Sequence, residues 1–147
     1  MLFRSGAPAA AAPRALADGD VIQACHTRLL FAYDNGGSAP FAHVAIVGAW
    51  DGGRAEWFFP DGSAAAGTLA AEAGVAREIH EEVGLAPVAT GAVRRLRIWA
   101  VFGRAAIERA VIEQALGQWA LVGGERLALP GTGQHAIELR VHGCDNP

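Results

Sequence analysis

Apolar and polar positions change period several times along the chain, and each change marks an element. Residues Val21 to Tyr33 (VIQACHTRLLFAY) are rich in β-prone types and stop at the turn cluster Asp34-Asn35-Gly36-Gly37, which predicts a first strand. Phe41 to Trp50 (FAHVAIVGAW) is almost continuously apolar, as a strand covered on both faces would be. Asp51-Gly52-Gly53 then supplies a hairpin turn to a partner strand, Arg54 to Phe59, which Pro60-Asp61-Gly62 ends because proline cannot continue a ladder.

From Leu69 to Val83 the period lengthens. Val75, Ile79 and Val83 recur every fourth residue with Ala76 beside them, the stripe of an amphipathic helix, and Gly84 stands where a C-cap belongs. Ala92 to Phe102 returns to alternation and predicts a strand with Arg95, Arg97 and Trp99 on one face. Arg104 to Gly117 reads as a second helix, with Ile107, Val111 and Ala115 spaced by four. Short β-prone pieces follow at Trp119 to Val122, Arg126 to Leu129 and Ala136 to Val141. The pattern gives an N-terminal arm over residues 1–20 and a single domain over 21–147, with no repeat and no linker.

Composition narrows what that domain can do. At 147 residues with 52% hydrophobic and 18% charged side chains, one sizeable core is expected and broad disorder is not. All basic side chains are Arg, so lysine-dependent chemistry, including Schiff bases and P-loops, is excluded. A net charge of -3 provides no field for wrapping duplex nucleic acid, while small anionic ligands remain open. No apolar run approaches the roughly 18 residues of a membrane span. The Ala-rich start is interrupted by Pro8 and Pro13 and makes a poor signal peptide, so a cytoplasmic protein is expected. Cys25 and Cys144 show no metal-binding spacing and read as ordinary small apolar residues; a single disulfide is the alternative in an oxidising compartment.

The segment Arg77-Glu78-Ile79-His80-Glu81-Glu82-Val83-Gly84-Leu85 is the chemically pointed one. On the expected helix Glu78, Glu81 and Glu82 stand at i, i+3 and i+4 and share a face, each pair repelling by about 0.2–0.5 kcal/mol. They also occupy the last turns, where the helix dipole disfavours anions. A divalent cation reverses that sign, because hard oxygen ligands on one face bind Mg²⁺ and leave positions for phosphate oxygens. The plain alternative is a solvated acidic face with no chemical role.

REIHEEVGL fills every fixed position of R-E-U-x-E-E-x-G-U, the second half of the Nudix box, where U is bulky and aliphatic. The chain therefore resembles the Nudix hydrolases, whose members cleave nucleoside diphosphates linked to another moiety. The resemblance implies an α/β fold, specifically a Nudix-like α/β/α sandwich around a mixed β-sheet. It further implies Mg²⁺ or Mn²⁺ held by Glu78, Glu81 and Glu82, with Arg77 orienting a glutamate, and a pyrophosphatase-type reaction on a small nucleotide substrate. The first half of the box departs from the family: counted forward from Gly62 its glutamate falls on Thr68, counted back from Arg77 on Leu69. Glu72 lies a few residues late, on what reads as an exposed first turn, and His80 fills the motif's free position.

A further base or ligand carboxylate, which many family members take from a distant loop, has Glu113, Glu125 and Glu138 as candidates. Trp57, just before the box loop, together with Arg95 and Arg97, makes up the candidate substrate-binding set; a core tryptophan and an aggregation-resistant edge strand are the alternative roles. The C-terminal third departs from the usual closing helix and is a candidate homodimer contact. Two functions follow: a Mg²⁺-dependent hydrolase, or a catalytically impaired Nudix-like nucleotide-binding module.

Overall fold

The computed structural model describes residues 2–6, 14–35, 41–60, 69–70 and 74–144, with side chains described over 14–33, 41–60 and 82–144. Its elements are β1 (Leu2–Gly6), β2 (Arg14–Leu16), β3 (Val21–Gln23), β4 (Arg28–Asn35), β5 (His43–Trp50), β6 (Ala55–Phe59), β7 (Leu69–Ala70), β8 (Gly74–Gly84), β9 (Val93–Gly103), α1 (Arg109–Val122) and β10 (Gly133–His142). The content is mixed α/β but strand-rich, 49% strand against 14% helix, with a mixed sheet and one helix among the described residues. Two compact units can be distinguished: residues 1–34, 76–96 and 137–147, and residues 35–75 and 97–136.

In the first unit the strands run in the order β2-β1-β4-β8, so the segment read as an N-terminal arm is built into a sheet. β1 lies antiparallel to β4, from Leu2 opposite Ala32 to Gly6 opposite Arg28. β4 buries Leu29, Phe31 and Tyr33 on one side and Ala32 on the other, so the strand is covered on both faces towards its end. β3 pairs in parallel with the end of β10, Val21 opposite Arg140 and Gln23 opposite His142. The intervening Asp18-Gly19 turn is fixed from both sides. Gly19, at φ 87°, donates its N–H to the Glu138 carbonyl at 2.7 Å, and the Asp18 Oδ1 accepts from the Glu138 N–H at 2.7 Å. Asp20 Oδ2 accepts from Ala17 N at 2.9 Å and from Arg14 Nη1 at 3.2 Å. The Ala17 N–H, more than the arginine, holds the Asp20 carboxyl below its ordinary value.

In the second unit the expected hairpin is present. Ala49 pairs with Ala55 and Val47 with Trp57, with Gly52 and Gly53 at φ 90° and 89° in the turn. Every residue of β5 from Val44 to Trp50 is buried, matching its unbroken apolar sequence. α1 lays Ile112, Ala115 and Leu116 on Ala45, Val47, Ala49, Trp99 and Val101, and Leu127 and Leu129 close the same core. The helix starts later than its sequence period suggested and runs through Gly117 to a cap at Gly123, φ 70°, whose N–H donates to the Trp119 carbonyl at 2.7 Å. Trp119 explains the extension. Its ring meets Trp99 edge-on at 4.8 Å and its Nε1 donates to the Gly124 carbonyl, so this β-prone residue contributes more at the core from a helix.

Two further expectations are corrected. Arg126 to Leu129 form no strand, because the side-chain amide of Gln134 takes both Leu127 backbone groups, at 2.8 and 3.0 Å, in place of a ladder. Among the described residues the helix expected over Leu69 to Val83 is absent: Leu69–Ala70 and Gly74–Gly84 are strands, the first against β5 and the second beside β4. Val75, Ile79 and Val83 are four apart, a spacing that places residues on one side of a strand as well as of a helix. Extension also removes the carboxylate crowding that opposed the helix.

Candidate functional site

The acidic motif lies on β8. Its backbone decides what the motif can collect. In a strand, positions 78 and 82 stand on the same side about 13 Å apart, and position 81 on the other. Mg²⁺ needs its oxygens about 2.1 Å away in an octahedron, so the extended segment does not gather all three positions around one ion. The helical premise for Glu78, Glu81 and Glu82 is corrected accordingly. Glu82 is exposed; the side chains of Arg77, Glu78 and Glu81 lie outside the described residues, as does Thr68.

The proposed substrate-binding residues divide. Arg95 is exposed near the start of β9, whereas Trp99 on the same alternation is completely buried and donates Nε1 to the Glu125 carbonyl at 3.1 Å. Arg97 sits between them, half-buried, its guanidinium 5.7 Å from the Trp99 ring centroid. The shared arginine and tryptophan face thus runs from solvent into the core, and Trp99 is closed to base stacking.

Trp57 is placed differently. It is half-buried on β6 against the core, and its buried Nε1 has no hydrogen-bond acceptor among the described residues. The Arg109 guanidinium lies 4.9 Å from its ring centroid and donates through Nε to Glu113 Oε1 at 2.7 Å. Glu113 is thereby committed to an i, i+4 pair on α1. Glu138 is tied through its backbone to the Asp18-Gly19 turn, and Glu125 offers its carbonyl to Trp99. Sequence reading missed Arg109, whose signal was its i, i+4 spacing to Glu113.

Cys25 and Cys144 form a disulfide with a Cα separation of 6.0 Å, which corrects their reading as ordinary apolar residues. With His26 they are the one compact His/Cys/Asp/Glu group among the described residues, but bonded sulfurs are not thiolate ligands. No described helix is long and apolar enough to cross a membrane. The chain matches no protein-family model, no curated protein and no solved structure.

Proposed function

We propose that the chain is a Nudix-type hydrolase that cleaves the diphosphate linkage of a nucleoside diphosphate derivative with Mg²⁺ or Mn²⁺. The observation that carries this reading is REIHEEVGL, complete at every fixed position of the half-box. Arg77, Glu78, Glu81 and Glu82 are its functional residues. The reading requires residues 74–84 to become helical when the ion binds, because only a helix brings i, i+3 and i+4 together. It carries with it the α/β/α sandwich, whose motif helix would form there, and a cytoplasmic location.

The test is a panel of nucleoside diphosphate derivatives assayed with and without millimolar Mg²⁺ or Mn²⁺, with far-UV circular dichroism recorded alongside. Cation-dependent turnover, a gain in helicity and loss of turnover in Glu82→Gln support the hydrolase. Metal-independent inertness over the whole panel eliminates it.

A second reading, a nucleotide-binding module without turnover, is favoured by Thr68 and Leu69 where the box glutamate belongs and by the extended backbone of β8. It predicts nucleotide binding without hydrolysis, and no turnover from Thr68→Glu or Leu69→Glu. A gain of hydrolysis in either variant decides for the enzyme.

A further inference from the structure

Cys25, His26 and Cys144 offer two sulfurs and one imidazole nitrogen that all lie within 4.8 Å of one another. We propose that this group is a redox-gated Zn²⁺ site: the disulfide is its closed state, and reduction opens it to two thiolates and the His26 imidazole, with water as fourth ligand. The site is independent of β8 and of the function proposed for it.

The ligand set fits the ion. Tetrahedral Zn²⁺ takes sulfur at about 2.3 Å and nitrogen at about 2.0–2.1 Å, which sets sulfurs about 3.8 Å apart and sulfur about 3.6 Å from nitrogen. Breaking the disulfide lets the sulfurs separate to that distance, and the imidazole has about 1 Å to close. Thiolates are soft ligands, so the site selects Zn²⁺ over Mg²⁺.

The surrounding backbone holds the group together without the sulfur bond. Ala24 donates its N–H to the His142 carbonyl at 3.0 Å, continuing the parallel pairing of β3 with β10. Gly143 donates its N–H to the Ala92 carbonyl at 2.9 Å, and the Thr90 hydroxyl donates to the Cys144 carbonyl at 2.9 Å. The Cys25 N–H lies 3.1 Å from the Cys144 sulfur, a donor that stabilises that sulfur as a thiolate. Cys25 and His26 are exposed and Cys144 half-buried, so reductant and ion can both reach the group.

The redox step balances simply. A dithiol reductant delivers two electrons and two protons, the protein disulfide becomes two thiols, and the reductant becomes a disulfide. Zn²⁺ then displaces both thiol protons to water without changing oxidation state.

The test uses the full chain, oxidised or reduced by a phosphine that is then removed without air, and Co²⁺ as the optical probe. The reduced chain is expected to take up one equivalent of Co²⁺ with a thiolate charge-transfer band and tetrahedral d–d bands, which Zn²⁺ abolishes by displacement. The oxidised chain is expected to show neither band. His26→Asn keeps both cysteines and should weaken Zn²⁺ binding at least about 10-fold. Equal uptake in the oxidised chain, no uptake in the reduced chain, or unchanged affinity in His26→Asn overturns the proposal. Loss of the native far-UV spectrum on reduction overturns it too, since the backbone is then insufficient to hold the ligands.

Discussion

Reducing the disulfide removes a cross-link between residues 119 positions apart, and its cost can be worked from that separation alone. In the chain-entropy description, closing a loop of that length lowers the entropy of the unfolded chain by about 16 cal/mol/K, or about 5 kcal/mol at 25 °C. The hydrogen bonds from Ala24, Thr90 and Gly143 do not involve the sulfurs, so the entropic figure stands as the whole expected loss. For a chain of this size 1 kcal/mol moves the melting temperature by about 2–4 °C, which gives a drop of roughly 10–20 °C. A domain in the upper part of the typical range, about 10–15 kcal/mol, remains folded after it. Scanning calorimetry of oxidised protein, reduced protein and the double variant Cys25→Ser, Cys144→Ser, with thiol titration of each sample, measures the difference. The reduced and double-variant curves should nearly coincide, and the variant should ignore reductant. Oxidised and reduced melting within about 2 °C of each other would refute the reasoning.

Trp99→Phe keeps a ring in the core but removes the N–H on the Glu125 carbonyl and reduces the contact with Trp119; a loss of about 1–3 kcal/mol should appear in urea denaturation, and an unchanged midpoint would show that neither contact matters. Gly103→Ala would set a Cβ 2.8 Å from the Ala105 carbonyl oxygen and 3.1 Å from Ile107 Cδ1, so the backbone must shift at about 1–3 kcal/mol; a melting curve identical to the parent's would disprove the close approach. Asp20 is a depressed acid in the fold, so its stabilisation is complete above its ordinary value of 3.8 and disappears as pH falls through the lower folded-state value. Asp20→Asn should therefore be less stable than the parent at neutral pH and converge with it in acid; a gap that stays constant into strong acid contradicts the assignment.

What could be read from the sequence was local and strongly patterned. The hairpin of β5 and β6 needed only an apolar run, a Gly-Gly turn and a proline stop, and it formed as read. β9 was legible for the same reason, and so was the existence of α1, but not its buried face: of the stripe Ile107, Val111 and Ala115 only Ala115 is buried on the helix, which packs through Ile112, Ala115 and Leu116 while Val111 is exposed and Ile107 precedes it. β8 was not, because a four-residue spacing of Val75, Ile79 and Val83 satisfies two periods and the choice fell to pairing with β4. The β-prone Trp119 to Val122 was misread because a tertiary contact, Trp119 on Trp99, outweighs local propensity. Cys25 and Cys144 carry no spacing that announces a bond, and only the parallel pairing of β3 with β10 brings them together. For the candidate site, the residue types of the motif were plain and its backbone was not.

That parallel pair also sets the timetable of synthesis. Val21 is synthesised long before its partner Arg140 exists, and at about 5–20 residues per second the interval is roughly 6–24 s. Throughout that wait β3 has no β10 and Cys25 no Cys144, and every residue of the unit formed by 35–75 and 97–136 is made before it ends. Co-translational folding can therefore complete the α1 core first and the β3 and β10 unit last. A nascent chain ending at residue 136 and followed by an unrelated linker long enough to clear the ribosome tunnel should carry a protease-resistant second unit and a Cys25 thiol still open to alkylation.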